Sequence, residues 1–140
     1  TIEPQALQAV FQVNALGPAM VLRHFLPLLE PRGAMAILSA KVGSIGDNRL
    51  GGWYAYRASK AALNMLVKTA AIELARTRPQ VRLLSLHPGT VVSGLSQPFS
   101  GAANARPADI AAAQLLTVID QLTPADSGYF YSYDGERLPW

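Results

Sequence analysis

Tyr56 and Lys60 stand four positions apart in the run Tyr56-Arg57-Ala58-Ser59-Lys60. On a helix that spacing puts a phenol and an ammonium on one face, one turn from each other. A free tyrosine, with a pKa near 10, is a poor base at neutral pH. An ammonium about 4–5 Å away, at an effective dielectric near 20, favours the phenolate by roughly 3–4 kcal/mol, or about two to three pKa units. The pair therefore predicts a Tyr56 that exchanges a proton with a hydroxyl as a carbonyl is reduced or an alcohol oxidised. Alone, it is also a pattern that an ordinary surface helix supplies by chance.

Further along, His87-Pro88-Gly89-Thr90-Val91 closes an apolar run with a Pro-Gly turn, a bend where backbone comes close to a ligand. By itself it reads as well as a strand-ending turn. His87 either orients that turn or serves structure only, and His24 reads as a surface or packing residue. Asn14 has an argument of its own. Pro18 lacks an N–H, so a helical bond from position 18 to the Asn14 carbonyl cannot form, and Gly17 loosens the same turn. A buried carbonyl left free needs another partner, commonly water.

The elements that position these residues follow from periodicity and breakers. Residues 4 to about 30 carry a helical pattern in Leu7, Val10, Phe11, Leu22, Phe25 and Leu26, with Pro4 at the start and Pro27 and Pro31 at the fraying end. Gly33 to Ser39 is a short apolar run suited to a buried parallel strand. A Gly/Ser/Asn loop from Val42 to Gly52 leads to a second helix over 53–78, stopped by Pro79. Val81 to Leu86 is the next strand, 93–105 a loop with the composition of a mobile segment, and Pro107 to Leu122 a third helix. Gly128 to Tyr133 forms a last strand, with Asp134-Gly135 turning out of it. Helices alternating with strands imply an α/β fold with parallel strands. Three parallel strands are few for a sheet that must be covered on both faces.

Composition bounds the rest. Of 140 residues, half are apolar and 15% charged, which suits one globular domain. The +3 formal charge is uneven: residues 1–105 hold ten Lys/Arg against four Asp/Glu, and 106–140 hold two against five. A basic body suits a phosphate-bearing cofactor, but generic surface charge accounts for it better. No Arg/Lys cluster interleaves with aromatics, so no nucleic-acid partner is expected. There is no cysteine, and two distant histidines make no metal site. Apolar stretches break well before membrane-spanning length. We expect no membrane partner and a cytoplasmic location.

Tyr56-Arg57-Ala58-Ser59-Lys60-Ala61-Ala62-Leu63-Asn64 resembles the signature of the short-chain dehydrogenase/reductase family at every position. Phe11-Gln12-Val13-Asn14 looks like the family's upstream helix motif, and Pro88 to Ser93 like its Pro-Gly-x-Val-x-Thr segment. Leu38 to Ile45, with Trp53-Tyr54, is similar to a C-factor-like bacterial subgroup. The resemblance covers almost the whole chain in the right order. It implies the C-terminal half of a Rossmann-type doubly wound parallel sheet, with three parallel strands, three helices and the upstream strands missing. Residues 1–140 would then be half of a single domain.

The implied activity is NAD(P)-dependent interconversion of a carbonyl and an alcohol on a small-molecule substrate. In that role Tyr56 is the acid/base, Lys60 lowers its pKa and bonds the nicotinamide ribose, and Asn14 helps hold a relay water. Pro88, Gly89, Val91 and Ser93 approach the nicotinamide. The family's strand-ending serine, which bonds the substrate oxygen, matches Ala40 here. Ser39 and Ser44 are the neighbouring hydroxyls, and either fills the role only if the strand end twists or the loop folds inward; Ser39 is the catalytic candidate. Trp53 and Tyr54 suit a substrate wall. The family's dimers imply a homo-oligomer through helices 4–30 and 53–78. Since no glycine-rich phosphate loop is present, the chain alone is expected to be inactive. The alternative is a non-catalytic binding or signalling module on the same fold.

Overall fold

Pro4 opens helix α1 (Pro4–Phe11), where its fixed φ and missing N–H suit a first turn. The computed structural model describes residues 2–94, 96 and 104–140, so most of the loop expected over 93–105 lies outside the described residues. The single helix expected over 4–30 is not one element. After Phe11 comes a turn of π-helix (Gln12–Leu16), then α2 (Gly17–Phe25) and a 3-10 turn (Leu26–Leu28). The Gly17 N–H reaches back to the Gln12 carbonyl, five residues away. Pro18 cannot extend the ordinary ladder, and the chain accommodates this with a widened turn centred on Asn14.

Strand β1 (Ala34–Leu38) leads through a turn and loop to α3 (Tyr54–Thr77). Strand β2 (Arg82–His87), helix α4 (Ala108–Gln121) and strand β3 (Phe130–Ser132) follow. The sheet has the order β1-β2-β3-β4. β1 and β2 run parallel with Leu38 opposite Leu86, and β2 and β3 run parallel with His87 opposite Ser132. The fourth strand, β4 (Arg137–Leu138), was absent from the sequence expectation. The Asp134-Gly135 turn does not lead the chain away. It brings the chain back as an antiparallel partner of β3, with Phe130 opposite Leu138. A two-residue strand carries too little pattern to be read before its partner is known.

Both faces of β2 are covered, which is why it reads as a continuous apolar run. Leu83 packs with Ile37, Leu22 and, from α3, Leu63, Val67 and Ala71. Leu84 and Leu86 pack on the other face with Tyr131 and with Val118 of α4. Truncating the fully buried Leu83 or Leu63 to Ala would cost about 2–5 kcal/mol. This core holds α3 along one face of β1 and β2. Among the described residues β1 has one sheet neighbour, β2. No helix among them is long and apolar enough to cross a membrane.

Candidate active site

Tyr56 lies in the first turn of α3, and the residues around it fix where that turn begins. Trp53, just ahead of the helix, takes a left-handed backbone (φ 50, ψ 44), which costs a non-glycine residue roughly 1–2 kcal/mol. Arg57 anchors the incoming loop: its Nε donates to the Gly51 and Gly52 carbonyls at 3.2 and 3.0 Å, and its Nη1 donates to Val42 at 3.1 Å. The Trp53 ring meets Tyr56 edge-on, with centroids 6.4 Å apart.

Lys60 follows one turn later. Its Nζ donates to the Leu38 carbonyl at 3.2 Å and lies 5.9 Å from the centroid of the Tyr56 ring. The turn after β1 presses against the same stretch of helix at Gly43, where a Cβ would stand 2.6 Å from the Lys60 Cβ. The ammonium is therefore held at the carboxyl end of β1. Burial pushes the Tyr56 phenol above its ordinary 10.0 and the Lys60 ammonium below its ordinary 10.5. This overturns the expectation of a phenol lowered by its lysine. Desolvation disfavours the phenolate, and an ammonium held toward a backbone carbonyl does not offset it. In this chain Tyr56 is a protonated phenol at neutral pH.

Asn14 reaches the same region across the helix interface. Its Nδ2 donates to Ser59 Oγ at 3.1 Å, and Ser59 Oγ donates to the Tyr56 carbonyl at 2.8 Å. Ser59 is fully buried, and nothing in the sequence singles it out from the rest of the motif. The π turn thus ties Asn14 to α3 between Tyr56 and Lys60.

Ser39 continues β1 toward β2, its N–H donating to the Leu86 carbonyl at 2.7 Å. It is 4% exposed, and its Oγ has no hydrogen-bond partner among the described residues. Ala40, in extended backbone, is half-buried. Ser44 is buried and its Oγ accepts the Asp47 N–H at 3.1 Å, so that hydroxyl is engaged in its own turn.

His87 ends β2 and joins the two strand ends, its Nδ1 accepting the Lys41 N–H at 3.1 Å. Burial, then the charges of Lys41 and Arg106, lower its pKa to about 4 against a smaller opposing effect of Asp134. The ring is neutral at pH 7, as an accepting Nδ1 requires. Pro88 and Gly89 follow, half-buried, with Gly89 at φ 72. A Cβ on Gly89 would meet Arg106 Nη2 at 2.5 Å and the Tyr133 ring at 2.7 Å, so only glycine fits. Val91 bridges to Arg106, whereas Ser93 is exposed and exchanges hydrogen bonds with Ser96 at 3.2 and 3.3 Å.

Lys60 and Ser39 thus lie at the carboxyl end of β1 and the Pro88-Gly89 turn follows that of β2, the side where open α/β sheets take ligands, while Asn14 is tied through Ser59 to the helical turn of Tyr56. Arg106 was missed because no local motif marks it. No group of three His, Cys, Asp or Glu among the described residues could hold a metal. These groups offer a proton donor, an ammonium that makes one hydrogen bond among the described residues, and a Pro-Gly turn backed by Arg106 and Tyr133.

The family model described as short chain dehydrogenase matches residues 1–103. The 1-hydroxy-2-glutathionyl-2-methyl-3-butene dehydrogenase of Rhodococcus sp. (strain AD45) is 37% identical over 140 residues, covering 100% of this chain and 61% of that protein. C-signal of Myxococcus xanthus is 42% identical over 135 residues, covering 93% of this chain and 76% of that protein. Among solved structures, the NADPH-bound carbonyl reductase from chicken fatty liver is similar with a TM-score of 0.86 at 27% identity, covering 99% of this chain and 59% of that one. The chain therefore spans about three fifths of the length of the Rhodococcus relative and of the avian reductase.

Proposed function

The chain belongs to the short-chain dehydrogenase family, and from that premise we propose that it carries the acid/base half of a nicotinamide-dependent site interconverting a carbonyl and an alcohol. The observation that supports this reading is the Lys60 Nζ bond to the Leu38 carbonyl, which holds the ammonium at the carboxyl end of β1, one helical turn after Tyr56 and beside the strand whose end leads into Pro88-Gly89.

The residues present fit the nicotinamide-ribose end of NAD or NADP. Among the described residues the Lys60 ammonium makes one hydrogen bond, to the Leu38 carbonyl, and an ammonium has three N–H donors, so the others suit ligand hydroxyls. Pro88, Gly89, Val91 and Ser93 are the proposed nicotinamide contacts. When bound, the cofactor supplies or accepts the hydride. For reduction, Tyr56 gives its phenolic proton to the carbonyl oxygen as that oxygen gains charge, and its raised pKa keeps the proton available. Lys60 holds the ribose and, with Asn14, supports return of a proton to Tyr56. Ser39, with its unpartnered hydroxyl, is the proposed donor to the substrate oxygen. The Trp53 ring, 57% exposed, is a proposed substrate wall.

The test is NADH or NADPH consumption by the full-length protein across a panel of small carbonyl compounds. Tyr56→Phe should lower turnover about 10²–10⁴-fold with cofactor affinity nearly unchanged, whereas Lys60→Ala should damage both. Full activity in Tyr56→Phe would sink the assignment. We also propose that the 140-residue chain alone is inactive and binds no dinucleotide measurably. Micromolar binding by calorimetry would refute that.

Ala40, at the position of the family's serine, and the 42% identity to C-signal favour a second reading. In it the fold works as a binding or signalling module without turnover. Full-length protein that consumes neither NADH nor NADPH would support it.

A further inference from the structure

Arg106 does three things to the segment proposed to contact the nicotinamide. Its backbone N–H donates to the Thr90 carbonyl at 3.0 Å, and its carbonyl accepts the Val92 N–H at 2.9 Å. Its Nη2 donates to the Pro88 carbonyl. Its guanidinium carbon lies 3.6 Å from the centroid of the Tyr133 ring, the stacked geometry of a cation–π contact. Gly89 is bare where that stack lies: a Cβ would collide with both Nη2 and the ring. The arginine also buries Nη1 with no partner among the described residues, a cost that a residue of generic surface charge does not bear.

We infer that Arg106, stacked on Tyr133 and bonded to Pro88, Thr90 and Val92, is the positioning residue that sets the Pro88–Val92 turn for the nicotinamide. The inference rests on the dehydrogenase reading above and names a residue outside the Tyr56–Lys60 pair. Pro88 has no N–H of its own, so the turn cannot be tied down from that atom, and Gly89 adds no side chain to anchor it. The tether on the Pro88 carbonyl comes instead from 18 positions on in sequence, at Arg106, against a ring carried just past β3. Lysine cannot reproduce it, because an ammonium lacks the planar fork that stacks and donates together.

The experiment compares two probes in the full-length protein: NADPH or NADH, and the matching 2′-phospho-ADP-ribose or ADP-ribose, which lacks the nicotinamide. Arg106→Met should weaken dinucleotide binding about tenfold and leave the ADP-ribose probe within about twofold, since one charged hydrogen bond and one stack are lost at one end only. Tyr133→Leu, which removes the ring but keeps the arginine, should show a smaller loss of the same kind. Tyr133→Phe should behave as wild type, and Arg106→Lys should not rescue Arg106→Met. The two losses should be non-additive in the double variant. Equal weakening of both probes, or no change in either, overturns the inference and leaves Arg106 a structural residue. Wild-type protein that binds no dinucleotide sinks the dehydrogenase reading and this inference together, so the two failures are distinguishable.

Discussion

Tyr56 poses the sharpest question at the scale of single residues, because its surroundings oppose what its spacing to Lys60 suggested. With burial raising the phenol above 10.0, a spectrophotometric titration of wild type should contain a tyrosine ionising late that Tyr56→Phe lacks. A missing phenol that ionises below about 9 would restore the lowered pKa of the sequence argument. Ser39 gives a second prediction. A buried hydroxyl without a partner costs stability, so Ser39→Ala should leave stability unchanged or raise it by about 1 kcal/mol in denaturant unfolding. The same change should lower turnover if the hydroxyl serves the substrate. Unaltered turnover in Ser39→Ala, with a gain in Ala40→Ser, would instead show the serine role vacant.

The π turn and the end of β2 are devices at the scale of elements. Asn14→Ala removes the hydrogen bond that joins the widened turn to Ser59 and should cost about 1 kcal/mol of stability. Thermal unfolding of the variant measures it, and no shift would mean that water replaces the bond without loss. At β2, His87 is held neutral while it accepts from Lys41. The unfolded chain binds that proton with an ordinary pKa of 6.5, the folded chain only near 4. As pH falls from about 6.5 towards 4 the unfolded state takes up a proton that the folded state refuses, and stability declines. Unfolding midpoints in that window should fall for wild type and less for His87→Gln. Identical slopes would remove His87 as the cause.

For the whole molecule, what stands out is apolar surface left on the helical side. Val13, Leu16, Met20 and Phe25 are exposed on the first helical stretch, and Met65 and Ile72 on α3. Scattered exposed leucines are ordinary, but this many on two adjacent helices mark an interaction face. We predict association of the full-length protein into a homo-oligomer with this face buried isologously. Sedimentation at micromolar concentration checks it. A strictly monomeric species would count against it, as would Met65→Glu with Met20→Glu leaving the sedimentation coefficient unchanged.

The sequence by itself determined the alternation of helices and strands and the family, since these depend on local periodicity and on contiguous motifs such as Tyr56 to Asn64. The strand it marks as buried, 33–39, is only partly so, and β2 is the one covered on both faces. It also located Asn14, whose special turn follows from Pro18 being unable to donate. It did not reveal β4, because a two-residue strand is defined by pairing with Phe130 and Tyr131 and not by pattern. Nor could it give the sign of the Tyr56 shift. Spacing fixes how near a charge can be, but burial, set by everything packed around α3, fixes what ionisation costs. Arg106 and Ser59 stayed hidden for a related reason. Each acts on a partner far along the chain or across a helix interface, and only the closed tertiary structure decides which distant residues meet.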